Sequence, residues 1–449
     1  MKKDFGGKRS WHKRLAAAIT AGLMTGFFVP GAMAAEYDQG LTGTDKDKSW
    51  LGSEIVNQDT NGNLIYTFKG DNTINAATGF KVGAYKTVTL DSDGTLYFKA
   101  KGSGISLTDG ANVVINSNLD INSFGPGYGG TGIGMERGGT GTGDETHLTI
   151  NGDVTMRNTA DPENPWAVGS NDIHGGYANY KGSRWSPSAV RIGMTSGSTI
   201  DINGNVDIAV KGSGVTTDPY YKDYRDNDFD WTGSIVGPIK DPYKLAIVNL
   251  NGGNIRIETP ESKDEAYFAL ANYGGTINVN MDGDKAGKYD VDIKGNILVM
   301  TSPDGNGGDP YFFQSGQINL ALANANSVWS GVIDNSGSKQ AGEVNLYLQN
   351  GATWNHKAMS MTNGLSVETM PGPSNNYYGK YDGVSHVYSF HGGSTAQNAG
   401  YIFQKDQAKI DIKNYSGHSV VFYEHAASGV NASDYAAGDI MIGSAAAGS

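Results

Sequence analysis

Leu148-Thr149-Ile150-Asn151-Gly152-Asp153-Val154-Thr155-Met156 and Ile200-Asp201-Ile202-Asn203-Gly204-Asn205-Val206-Asp207-Ile208 are one string written twice. Apolar residues alternate with polar ones on both sides of a central Asn-Gly, the period of a strand with one face buried. Variants occur at Val114–Ile121, Val248–Ile257 and Val291–Val299. Each reads as two short strands hinged at Asn or Gly. After residue 35 almost no stretch places apolar residues at helical spacing for three turns, so the sequence predicts an all-β chain.

A second repeat fixes the way the strands are stacked. Ile318-Asn319-Leu320-Ala321-Leu322 leads to Trp329, and Val344-Asn345-Leu346-Tyr347-Leu348 leads to Trp354, an offset of 26 residues for the strands and 25 for the tryptophans. A period near 25 residues suits one coil of a solenoid, three short strands and their turns. One coil cannot bury its own apolar side chains, whereas a stack of coils buries them in a continuous core. Outward asparagines at equivalent turns would then form amide ladders. Glycine suits places where a turn needs positive φ or backbones approach closely. The hinge motifs lie 35, 52 and 48 residues apart, read as one to two coils plus insertions. The same string also fits a two-residue antiparallel hairpin, and a chain of hairpins would build sandwiches or a barrel. Recurrence over most of 400 residues and the 25-residue tryptophan spacing favour the β-solenoid over that alternative.

The first 34 residues carry a different signal. Lys2, Lys3, Lys8, Arg9, Lys13 and Arg14 precede an apolar run from Leu15 to Val29 and the small-residue site Ala32-Met33-Ala34. That order is a secretory signal peptide, expected to be cut after Ala34, and the run is shorter than the roughly 18 to 20 residues of a membrane-spanning helix. The expected organisation is a signal peptide at 1–34 and one β-helical domain at 35–449.

Composition narrows the chemistry. The chain has 449 residues, 65 Gly, no Cys and a formal net charge of −12. Removing 1–34 lowers the basic residues from 34 to 28 and the acidic ones from 46 to 45, so the exported part is more acidic still. Disulfides and Cys-ligated metal sites are excluded, and an acidic surface argues against nucleic acid as a partner. No cofactor is expected. Gly125-Pro126-Gly127-Tyr128-Gly129-Gly130 matches a dinucleotide fingerprint in form, but no helix follows it, and it reads as a Gly-rich insertion. No Ser lies in G-x-S-x-G, and His418 and His425 read as turn residues.

Two insertions carry the candidate site residues. Between Asp218 and Trp231, Tyr220, Tyr221, Tyr224 and Trp231 alternate with Asp226, Asp228 and Asp230. Rings of this kind can stack on sugars, and the three carboxylates offer oxygen ligands to calcium, although the spacing departs from an EF-hand loop. Trp166 and Trp185, with Tyr177 and Tyr180, mark a second aromatic insertion. If both loops leave one flank, they would form a joint glycan-contacting face. The same aspartates could instead join Arg184, Arg191 or another coil's carboxylate in an enzyme that acts on polysaccharides.

The two copies of [IV]-N-L-x-L followed by Trp, and the run Ile412-Lys413-Asn414-Tyr415-Ser416-Gly417-His418-Ser419-Val420-Val421-Phe422-Tyr423-Glu424-His425, resemble bacterial autotransporter passenger domains. The recognisable motifs begin near residue 316. The resemblance implies a right-handed parallel β-helix, exported by type V secretion through the periplasm to the cell surface or the medium. It implies an outer-membrane β-barrel translocator as partner, in cis or in trans, and a reason for the missing Cys, since a disulfide would obstruct passage through the pore. The run Ala445-Ala446-Ala447-Gly448-Ser449 does not match the barrel that usually follows such a passenger, so this chain is expected to be a passenger portion. The function so implied is a non-enzymatic adhesin or interaction scaffold for a host or neighbouring-cell ligand, glycans included. The alternative is a β-helical polysaccharide lyase or glycoside hydrolase.

Overall fold

A computed structural model describes residues 35–83, 85–123, 131–136, 145–158, 188–193, 197–218, 246–261, 267–272, 274–299, 316–334, 342–360, 383–404, 409–423 and 440–446. From Ala34 on, the chain forms one compact unit. The signal-peptide reading, with Ala32 and Ala34, falls outside the described residues.

The alternating strings fold as stacked parallel strands. His147–Ile150 is one strand of a coil and Val154–Arg157 the next, with the chain turning at Asn151-Gly152-Asp153. Leu148 pairs in register with Val113 of the coil before and Ile200 of the coil after. The column continues in the same direction through Val248, Ile277, Ile318 and Val344. These side chains point inward and are fully buried. Burying each contributes about 1.5–3 kcal/mol, and it depends on the coils above and below.

The coils as far as Ile333–Asp334 have a first, a second and a third face. First-face and second-face strands together make a 23-stranded sheet, because in the early coils one strand bends through the corner, as Thr87–Ala100 and Asn112–Ser123 do. Third-face strands, among them Ile105–Thr108, Ser188–Gly193, Ser213–Asp218 and Phe268–Asn272, form a separate eight-stranded sheet. The chain is therefore a parallel β-helix, and hairpin sandwiches are excluded for the described residues. Antiparallel pairing of named strands is confined to Val56–Gln58 on Leu64–Phe68 and to the small hairpin Met281–Asp282 with Lys285–Ala286.

Two details of the repeat differ from the sequence reading. Asn116, Asn151 and Asn203 sit in successive coils, so spacings of 35 and 52 residues each span a single coil and its insertion. The string Val291–Val299 turns a different corner: Val291–Lys294 lies on the second face and Asn296–Val299 on the third. Alternation around a Gly is the same at both corners, so the pattern alone does not distinguish them.

Gly at the first corner answers a close approach. At Gly152 a methyl group would collide with the carbonyl oxygen of Ser117 below it, and at Gly204 with that of Gly152. Asparagine holds the same corner together. Asn116, Asn151 and Asn203 each donate Nδ2–H to the side-chain oxygen one coil earlier, at 2.7, 2.7 and 2.9 Å, and the series begins at the Asp91 carboxylate. A second ladder begins at Asp201 and runs through Asn249, Asn278, Asn319 and Asn345 at 2.6–2.8 Å. In both, a carboxylate accepts the first donor of an aligned row of amides.

The two ends of the stack differ. At the N-terminal end a short helical segment, Asp45–Asp47 and Lys48–Leu51, and the antiparallel strand Val56–Gln58 lie beside the first coil. Buried Asp47 accepts from Thr42 N–H, Thr42 Oγ–H and Tyr66 O–H at 2.6–2.7 Å, which satisfies its charge. Burial, followed by this bond to Asp47, raises the Tyr66 pKa above the usual phenol value. Beyond Ile333–Asp334 no further third-face strand occurs among the described residues. The last coils are built from longer strands, Val384–His391, Lys409–Ser416 and Ile440–Ala445, alternating with Gly400–Gln404 and Ser419–Tyr423.

Candidate functional site

From Leu64–Phe68 to Ser419–Tyr423 the passage from first to second face is described without a gap, whereas segments outside the described residues adjoin the third-face strands. Residues 159–187 precede Ser188–Gly193, and residues 219–245 follow Ser213–Asp218. These strands are neighbours, paired Ser188 to Ser213. The two aromatic insertions are thus anchored at opposite ends of one strand pair. Trp166, Trp185, Tyr220, Tyr221, Tyr224, Trp231, Asp226, Asp228, Asp230 and Arg184 all lie outside the described residues.

Arg191 is described. It points outward from the third face yet is 1% exposed, with Nε 3.2 Å from Glu136 Oε1 of the preceding coil. Along the same outward row Gly134, Thr216, Ala271, Leu298 and Asp334 are buried as well. Over these coils that row presents no exposed side chain.

The second face is open. Its outward side chains stand in two rows, and apart from buried Ala209 those from Tyr97 to Phe422 are half-buried or exposed. In its middle coils the rows carry charge. Arg157 Nη2 meets Asp207 Oδ2 at 2.8 Å, and Arg256 Nη1 meets Asp207 Oδ1 at 2.9 Å. Arg256 also pairs with Glu258, which Lys294 approaches at 3.5 Å. Burial works against the Arg256 charge, but Asp207, Glu258 and Asp292 together raise its pKa. Residues 157, 207, 256 and 294 become neighbours because the coils bring them into register. The sequence reading passed over this ladder. Aligning the hinge strings on their Asn-Gly corner would have exposed it, since the charges fall at the outward positions of the second strand.

Chemically, the ladder is a row of mutually paired, partly solvated charges. Glycoside hydrolysis needs one carboxylic acid and one free carboxylate. Asp120 has a raised pKa, mainly from burial, with Arg157 and Lys99 pulling it down and Asp207 pushing it up. Asp207 stands two coils further along the same row, about 9.6 Å away at the usual strand spacing. Both Asp207 oxygens are occupied by arginines, however, which removes it as a base or nucleophile. Among the described residues no group of three His, Cys, Asp or Glu could hold a metal.

One pair has the spacing of a nucleophile and its base. Ser385 Oγ lies 2.8 Å from His356 Nε2. Both residues are fully buried, and Ser385 Oγ also accepts from Ile333 N–H at 2.9 Å. Burial holds the imidazole pKa down to about 3. So weak a base, without access for substrate, cannot activate a hydroxyl at neutral pH. The pair ties the last three-sided coil to the longer strands that follow. His418 sits in the turn between Lys409–Ser416 and Ser419–Tyr423, as the sequence reading expected.

Toward the C-terminal end the second face loses its charge. Thr353 and Asn355 are followed by Tyr401 and Phe403, then by Val420 and Phe422, at matched outward positions. Phe403 and Phe422 stack at 4.7 Å and 13°, and Tyr401 lies 6.0 Å from Phe422. No family model matches the chain, and neither the curated proteins nor the solved structures contain a significant match.

Proposed function

We propose that this chain is an exported β-helical passenger of the autotransporter type, displayed at the bacterial cell surface as a non-enzymatic adhesin or interaction scaffold. The observation that carries this reading is the second face: a long, open, regularly spaced surface on which Asp207, the carboxylate in the same row as Asp120, is held by two arginines. Extended solenoid faces suit binding to extended or repetitive ligands. The signal sequence at 1–34, the absence of Cys and the autotransporter-like motifs after residue 316 supply the secretion route. A β-barrel translocator, in cis or in trans, is the partner this route requires. The polysaccharide-acting enzyme draws no support from the described residues beyond the raised Asp120. Protease shaving of intact cells tests the reading: loss of the chain from shaved cells, with periplasmic markers intact, is the expected result, and full protection would sink it.

A further inference from the structure

We propose that Asn61, in the turn Asp59–Asn63, is a self-modification site at which the folded chain converts its own Asn-Gly pair to aspartate and isoaspartate, with water as the only co-reactant.

Asn-Gly occurs seven times in the sequence, and five of the pairs are described: Asn61-Gly62, Asn151-Gly152, Asn203-Gly204, Asn251-Gly252 and Asn350-Gly351. The pair is reactive because glycine has no Cβ to hinder its own backbone nitrogen. That nitrogen attacks the Asn Cγ. A bond forms between the Gly nitrogen and Cγ, the Cγ–Nδ2 bond breaks, and Nδ2 leaves as ammonia with the proton from the Gly nitrogen. Water then opens the cyclic imide at either carbonyl, giving aspartate or isoaspartate. The reaction needs a side chain free to fold back on its own main chain and a glycine with room to move.

The corners of the stack withhold both. Asn151 donates to Asn116 and accepts from Asn203, so both side chains are held in the ladder. The Asn251 oxygen accepts from Met281 N–H at 2.9 Å. At Gly152, Gly204 and Gly252 even a methyl group would collide with a backbone oxygen one coil earlier, so the main chain there has no space to reorganise. Asn350 donates to the Ala323 carbonyl at 3.0 Å and accepts from Asn398 at 2.7 Å, while Gly351 N–H is held by the Ala399 carbonyl at 3.0 Å.

Asn61 differs on each count. Asn61 and Gly62 are exposed, and a methyl group at Gly62 would meet nothing within 4 Å. The Asn61 backbone N–H, not its side chain, bonds to Asp59, and among the described residues the side chain has no partner. A single bond restrains the nucleophile, Gly62 N–H to the Asp59 carbonyl at 3.1 Å, and it lies in an exposed turn that opens locally. Isoaspartate routes the main chain through Cβ and Cγ, which lengthens the turn that sets the register of Val56–Gln58 on Leu64–Phe68. Conversion therefore loosens the antiparallel strand beside the first coil.

Peptide mapping by mass spectrometry tests the proposal, on the full chain incubated folded and in urea in mildly alkaline buffer, with isoaspartyl methyltransferase labelling to quantify isoaspartate. In urea the five pairs should convert at similar rates. In the folded chain Asn61 should convert at least about tenfold faster than Asn151 and Asn203, whose ladder bonds must open first. Hydrogen exchange at Val56–Gln58 should rise as isoaspartate accumulates, and Asn61→Gln, which would have to close a larger and less favourable ring, should hold that exchange constant. Equal conversion of Asn61 and the ladder asparagines in the folded chain, an Asn61 that converts in urea but not when folded, or the same rise in exchange in Asn61→Gln would overturn it.

Discussion

Trp329 and Trp354 lie one above the other in the core, ring centroids 4.8 Å apart and planes 6° from parallel. Each indole N–H donates at 3.0 Å to a glycine carbonyl one coil earlier, Gly295 for Trp329 and Gly331 for Trp354. Both rings are fully buried. Trp354 thus bonds into the coil that carries Trp329, and Trp329 into the coil before that, so three successive coils are tied through one aromatic column. Trp354→Ala should therefore cost about 3–5 kcal/mol. Trp354→Phe should cost less, losing the bond to Gly331 while keeping most of the stacking. Guanidinium denaturation followed by tryptophan fluorescence measures both, and equal losses for the two variants would contradict the hydrogen-bonded stack.

The second amide ladder has a direction. Each Asn donates toward the N-terminal end, Asn249, Asn278 and Asn319 also accept from the coil after them, and the Asp201 carboxylate receives the first donor. Asn278→Asp removes the donor to Asn249 and sets a carboxylate against its side-chain oxygen, while still accepting from Asn319. A loss of about 1–3 kcal/mol at neutral pH is expected, partly regained near pH 4 where the new carboxyl protonates. Asp201→Asn still offers an oxygen to Asn249 and should cost well under half as much. Denaturation midpoints at two pH values distinguish the cases, and an Asn278→Asp loss independent of pH would count against the ladder.

How much of this was legible depends on whether the determining interaction is local. Trp329 and Trp354 announce the coil length because buried aromatics recur where the core recurs, and the structure pairs them in register. Asn151 and Asn203 announce the first corner for the same reason. The ladder of Arg157, Asp207, Arg256 and Lys294 was not legible, because spacings of 50, 49 and 36–38 residues become neighbours only after insertions of unequal length are set aside. The site residues chosen from sequence, Tyr220 to Trp231, Trp166 and Trp185, were selected for aromatic density within insertions. Tyr401 and Phe403 escaped notice because in a two-residue alternation an exposed ring and a buried one look alike until the inward row is known.

The charge ladder should contribute little stability. Its members are partly solvated, and Asp207 keeps Arg157 when Arg256 is removed. Arg256→Ala is expected to cost no more than about 1 kcal/mol. A double-mutant cycle with Asp207→Ala should give a coupling that shrinks in 1 M salt, where the screening length falls to about 3 Å. A coupling of several kcal/mol that ignores salt would mean that the pair is far less solvated than its 42% and 39% exposures indicate.

His356 should make the C-terminal coils acid-sensitive. Burial holds its folded-state pKa to about 3, below the 6.5 of an unperturbed imidazole. Between those values the unfolded chain binds a proton that the folded one refuses, so stability falls as pH drops below about 6.5. At about 1.36 kcal/mol per pH unit, moving from pH 7 to pH 5 should cost about 2 kcal/mol from this group. His391, whose pKa burial also lowers, adds in the same direction. His356→Phe retains a ring against Trp354 but gives up the bond to Ser385. It should be less stable than the parent at pH 7 and lose markedly less between pH 7 and pH 5. Fluorescence-monitored denaturation at both pH values provides the comparison, with Trp354 reporting from 4.9 Å away. If parent and variant lose the same stability on acidification, the proton is taken up elsewhere and His356 is not the acid-sensitive group.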